Sequence, residues 1–199
     1  MPKLKPLRFV PPPPCLPIPW TDLKAGDCIL QHGEMWYSGL IQDVTDSPWS
    51  HAAMVVKCPA TGALWIAEQT SPKLRMTPLP AWLASESGVY VCQMQSDITD
   101  NDGFALWNWW ASKVGQSYDY ALLIHQLIPA WWQRIAIRLH LPMRYRFLPA
   151  LAVLGVCSTC VADAYKSIGL PIDEGGTSTM TPGDLPRQKF LAEIRMVMV

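Results

Sequence analysis

Apolar and polar positions along this chain fall into strand-like runs, then helical ones, then a last strand. Gly26-Asp27 is a turn signal that opens the apolar run Cys28-Ile29-Leu30. Ser50 leads into His51-Ala52-Ala53-Met54-Val55-Val56, a buried-strand pattern with a histidine at its mouth. Thr61-Gly62 turns the chain into Ala63–Gln69, and the two runs around it read as a β-hairpin. An antiparallel neighbour brings Glu68 near His51, although register does not follow from sequence. Gln69, the next residue, faces the other way. Gly88–Met94 and Phe190–Val199 supply further strands.

Helical patterns lie between and after these runs. Residues 35–46 read as a short helix or loop, and Leu79–Leu83 as a turn or helix. Asp100-Asn101-Asp102 offers N-cap residues for a helix through Phe104 to Lys113, ending near Gly115, with Trp107, Trp110 and Val114 on its buried face. Residues 120–150 are mostly apolar, interspersed with Arg134, Arg138, Arg144 and Arg146 and broken by Pro129 and Pro142. This segment is expected to pack on its own domain and line a pocket, in preference to lying on a membrane surface. Ile172 to Thr179 reads as a loop, and Thr181–Leu185 begins a short helix. The order of elements predicts an α+β fold with an antiparallel sheet flanked by helices.

At Leu154-Gly155-Val156-Cys157-Ser158-Thr159-Cys160 an apolar run reaches a glycine and a helical pattern begins, with Cys157, Val161 and Ala164 on one face. Ser158 and Thr159 are expected to help cap the helix. Cys157 therefore sits at a helix N-terminus, where the dipole and free N–H groups favour a thiolate and could hold an oxyanion. The plainer reading of Cys157 is a small buried apolar residue. His51 likewise reads as a surface, structural or catalytic residue, and Glu68 as a solvated strand end or a functional carboxylate.

The 199 residues fit one domain with a real core, half of them apolar and 16% charged, which argues against disorder. A net charge of zero gives no electrostatic reason to expect nucleic acid as a partner. Six cysteines scattered through apolar runs suggest reduced thiols. Residues 1–20 read as a proline-rich arm, extended and without a hydrogen-bond ladder, that lies against its own domain or a protein partner. The arm's start carries Lys3, Lys5 and Arg8 but no apolar h-region, so no signal peptide is expected and the protein is expected to be cytoplasmic or assembly-associated. No apolar run is long enough to span a bilayer.

Six pieces together resemble a known family. They are Gly26-Asp27, Ser50-His51 opening a strand, Glu68 ending the next, Gly115-x-x-Tyr118-Asp119, Cys157-Ser158 opening a helix, and Pro182-x-Asp184-Leu185. From about Leu23 to Phe190 the chain resembles the YiiX/YebB-like cysteine hydrolases, of the circularly permuted NlpC-type papain-like branch, of which lecithin:retinol acyltransferase is a distant relative. The resemblance implies one permuted papain-like domain over 21–199, a sheet or half-barrel against helices, with 119–150 an apolar helical insertion. It implies Cys157 as nucleophile, His51 as base and Glu68 as its orienting residue, in the roles such a triad requires. Trp49, Tyr118 and Ser158 are expected to contact substrate. No cofactor and no metal are implied. Thr159 and Cys160 depart from the glutamate and leucine common in the family, and the stretch between Asp119 and Cys157 is longer than usual.

Cys157-x-x-Cys160 also fits a redox or zinc motif, but neither a thioredoxin-like setting nor a second ligand pair is present. The expected activity is hydrolysis of an amide, ester or thioester bond in a peptide, cell-wall peptide or acylated substrate. The rival expectation is a non-catalytic module of a larger assembly, such as a phage particle, docked through its arm.

Overall fold

The computed structural model describes residues 11–34, 36–117, 157–172 and 180–198. Their centre is a seven-stranded sheet. In chain order the strands are β1 (Pro17–Pro19), β2 (Cys28–Gln31), β3 (His51–Lys57), β4 (Leu64–Gln69), β5 (Leu74–Pro78), β6 (Val89–Met94) and β7 (Leu191–Met198). In space they run β1-β7-β6-β2-β3-β4-β5. Among the described residues four α-helices accompany them: α1 (Trp36–Thr45), α2 (Leu79–Leu83), α3 (Asp100–Ala111) and α4 (Cys157–Ser167).

Both faces of the central strands are covered, which is why their sequences read as continuous apolar runs. Cys28, Leu30, Ala52, Met54, Val56 and Ala67 point to one side, where they pack with Leu106 and Trp110 of α3 and with Val161, Ala164 and Tyr165 of α4. Ile29, Ala53, Val55, Ile66 and Val91 point to the other, against Leu79, Trp82 and Leu83 of α2. Alternation along each strand thus decides which helix a side chain meets.

The Gly26-Asp27 turn locks β2 into the sheet. Gly26 adopts φ 93°, a conformation that glycine tolerates without Cβ strain. The buried Asp27 carboxylate accepts the backbone N–H groups of Lys24 (2.8 Å) and Met94 (2.9 Å), tying the turn to β6. The Tyr165 hydroxyl donates to the Gly26 carbonyl at 2.7 Å, fastening α4 to the same turn.

Several sequence expectations are corrected. The sheet is mixed, because β1 runs parallel to β7 and the remaining neighbours are antiparallel. Residues 17–19 are therefore not a ladder-free arm. Ile18 alternates with two prolines that lack N–H groups, and that pattern is tolerated only at a sheet edge. Strand β5, which the sequence reading missed, is half polar. The N-cap of α3 is Thr99, whose hydroxyl accepts from the Asp102 N–H while Asp102 reaches back to Thr99, a capping box. On α3 the buried residues are Leu106 and Trp110, whereas Val114 lies beyond the helix and is 54% exposed. The expectations for residues 118–156, the Tyr118 contact and the helical insertion among them, and for the loop at 173–179 lie outside the described residues.

Candidate active site

His51 is the first residue of β3 and Glu68 the last but one of β4. The β3–β4 register pairs Met54 with Ala67, which sets Glu68 across from Ala53 and diagonal to His51 on the same face. Diagonal neighbours on adjacent strands are within reach of long side chains. Here His51 Nε2 donates to Glu68 Oε2 at 2.7 Å.

Glu68 is buried, its side chain 3% exposed. A buried carboxylate needs partners for its lone pairs. Its second oxygen, Oε1, accepts from Arg75 Nε at 2.7 Å, Arg75 Nη2 at 2.7 Å and Trp82 Nε1 at 3.0 Å. Arg75 faces Glu68 directly across the β4–β5 ladder. Burial works to raise the Glu68 carboxyl, but the hydrogen bonds and charges of His51 and Arg75 overcome it and hold ionisation at about 2.

Cys157 opens α4 and is almost fully buried. Cys157 and the His51 ring lie close enough that each shifts the other's ionisation. Because Nε2 is committed to Glu68, the ring nitrogen left for sulfur is Nδ1. The backbone N–H groups of Ala52 and Ser158 also favour the thiolate. Burial pushes the Cys157 thiol up, yet the His51 charge and these N–H groups draw it below its ordinary value. Burial pulls His51 down, while the Cys157 and Glu68 negative charges carry it up to about 10. The two displacements are opposite and mutual, the direction that favours a thiolate–imidazolium pair over two neutral groups. By contrast, burial pushes Cys160, one turn along the same helix, up to about 12. That leaves it a neutral thiol.

The structure thus brings Cys157, His51 and Glu68 together. It treats the other expected site residues differently. Trp49 is buried, 3% exposed, and stacks at a tilt on Tyr90 with centroids 4.8 Å apart, which places it in the core. Ser158 is fully buried and its hydroxyl donates to the Met180 carbonyl at 2.6 Å. Its hydroxyl is therefore engaged as a donor and is not the expected cap acceptor. What Ser158 offers the site is its backbone N–H. Arg75 and Trp82 were not anticipated, because each belongs to an element whose place over Glu68 depends on tertiary packing.

No family model and no curated protein matches the chain. Among solved structures, the chain is similar to the crystal structure of metalloprotein yiiX from Escherichia coli O157:H7 (DUF1105). The two align with a TM-score of 0.52 over 87% of this chain and 88% of that one, at 17% sequence identity. The fold is therefore YiiX-like, a mixed α+β architecture built on a seven-stranded sheet.

Proposed function

We propose that this chain is a cysteine hydrolase of the permuted papain-like type, using Cys157, His51 and Glu68 on an amide, ester or thioester bond. The observation that carries the reading is the unbroken line Cys157–His51–Glu68, with sulfur and imidazole displaced in opposite directions. The order of the pair supports a permuted arrangement: the histidine, on β3, precedes the cysteine, on α4.

The chemistry follows from the contacts. The Cys157 thiolate attacks the substrate carbonyl carbon, forming a C–S bond. The tetrahedral intermediate collapses as His51 donates its proton to the leaving nitrogen, oxygen or sulfur, and the bond to that atom breaks. Water then attacks the acyl-cysteine, His51 takes its proton, and the acid departs from Cys157. Glu68 fixes the imidazole tautomer with Nε2–H toward itself and Nδ1 toward sulfur, and supports the ring's positive charge.

The solved neighbour is described as a metalloprotein. The described residues of this chain do not suit a metal ion, since no three His, Cys, Asp or Glu side chains among them converge on one point. The acidic oxygen Glu68 Oε1, moreover, already carries three donors from Arg75 and Trp82. No step is routed through a metal.

The test is to mix the protein with p-nitrophenyl acetate and with an acetyl thioester and measure intact mass. An acetyl adduct mapping to Cys157 in the wild type, absent in Cys157→Ala, supports the reading. A wild-type chain that never carries acyl on Cys157 overturns it.

A further inference from the structure

We propose that Arg75 is a positioning residue for the Cys157–His51 pair, locking Glu68 into the one rotamer that addresses His51. This rests on the hydrolase reading above and assigns it a fourth member.

The geometry is over-determined in Arg75's favour. Glu68 Oε2 belongs to His51 at 2.7 Å, and Oε1 is held by both Arg75 nitrogens at 2.7 Å. A guanidinium presents its N–H groups as a rigid planar fork, so two contacts fix carboxylate orientation as well as charge. The Trp82 indole adds a third donor from α2.

Arg75 is itself anchored. Its Nη2 also lies 3.6 Å from Glu86 Oε1, and Glu86 Oε2 accepts from Gln31 Nε2 at 2.8 Å. Gln31 is the β2 residue paired with His51 in the β2–β3 register. The polar chain therefore leaves His51 through Glu68, Arg75 and Glu86 and returns to the strand beside His51. It joins β2, β3, β4, β5 and the segment after α2 at the same end of the sheet. Among the described residues, the titratable or charged groups facing this chain are Cys157, His51, Glu68, Arg75 and Glu86.

A structural role alone does not account for the arrangement. Arg75 is half exposed, and an exposed guanidinium bound to a surface carboxylate contributes little to stability. Here it reaches inward to a buried carboxylate whose other oxygen carries the imidazole. Without Arg75, Trp82 is the one donor left on Glu68 Oε1 among the described residues, and the carboxylate is free to rotate or to take up a proton. His51 then loses its fixed tautomer, and Cys157 its charged partner.

The test is the pH profile of Cys157 alkylation by iodoacetamide, mapped by peptide mass so that other thiols do not count. It needs no substrate. Variants are Arg75→Met, Arg75→Lys and, as a fold control, thermal unfolding of each. The expected result is that Arg75→Met moves the midpoint of Cys157 alkylation upward by about one pH unit and slows the reaction at about pH 6 roughly tenfold. Arg75→Lys recovers part of the shift by restoring charge without the fork. Folded Arg75→Met with a wild-type profile overturns the inference and leaves the hydrolase reading standing. A wild-type Cys157 with the profile of a free thiol overturns the hydrolase reading itself. If Arg75→Met does not fold, Glu86→Gln, which loosens only the outer anchor, must still raise the midpoint, and an unchanged profile in that variant counts against the inference.

Discussion

His51 and Glu68 are diagonal neighbours on adjacent antiparallel strands, joined by a 2.7 Å hydrogen bond from Nε2 to Oε2. Every other described group on the Glu68 carboxylate is also a donor: Arg75 through Nε and Nη2, Trp82 through its indole N–H. An anion is the only occupant of that position that satisfies them all.

His51→Ala removes both the proton carrier and the charge opposite sulfur. Turnover is expected to fall by about 10²–10⁴-fold, the usual contribution of a positioned acid–base group. Glu68→Gln keeps the shape but presents an amide N–H₂ to a ring of donors. Its loss of turnover is expected to be smaller than that of His51→Ala, since the imidazole remains beside Cys157. Steady-state rates on any substrate found to acylate Cys157 check both, and a Glu68→Gln enzyme worse than His51→Ala contradicts the assigned roles.

Trp82→Phe keeps an aromatic ring on α2 but deletes the indole N–H together with the pyrrole part of the ring. The side chain is 1% exposed, so the carboxylate oxygen loses a donor with no water to replace it. A destabilisation of about 1–3 kcal/mol is expected, read from the urea midpoint. No change in the midpoint would mean that Arg75 alone satisfies Oε1.

Acid unfolding should report Glu68. Its carboxyl ionises at about 2 in the folded protein against an ordinary 4.5, because His51 and Arg75 outweigh the effect of burial. The folded state therefore binds fewer protons than the unfolded one between these values. The stability it contributes is present above about pH 4.5 and is lost as pH falls toward about 2. Urea midpoints of wild type and Glu68→Gln should converge over that window. A constant difference across it contradicts the assignment.

Asp27 carries the opposite sign. Burial pushes its carboxyl up to about 6 from an ordinary 3.8, against the pull of the Lys24 and Met94 N–H groups. The folded state holds its proton longer than the unfolded one, so this contribution is full below about pH 3.8 and declines as pH rises through about 6. Asp27→Ala leaves two backbone N–H groups without their acceptor and is expected to lose about 2–3 kcal/mol. Denaturant titrations at several pH values check the slope and the loss together.

The sequence was informative where one period or one turn decided the structure. Alternation and the Thr61-Gly62 turn located β3 and β4, and parity alone put Glu68 and Gln69 on opposite faces. The helix at Cys157 was legible because its apolar residues recur at helical spacing. What escaped was decided by packing between distant segments. Arg75 gains meaning only once β5 pairs with β4, and β5, five residues long, is too short to announce itself. Trp49 read as a groove aromatic because burial of a tryptophan depends on what covers it, here Tyr90 from β6. Pro17 and Pro19 suggested an arm without a hydrogen-bond ladder, since nothing local reveals that β7 offers them a parallel edge.

The most direct test of the account is the pH dependence of Cys157 alkylation by iodoacetamide in the wild type and in His51→Ala. The account predicts a wild-type thiol that stays reactive well below the ordinary cysteine range of about 8.5, and a His51→Ala thiol whose midpoint rises to that range or above it. Identical profiles for the two proteins would mean that no charged Cys157–His51 pair exists, and the proposed mechanism would fall with it.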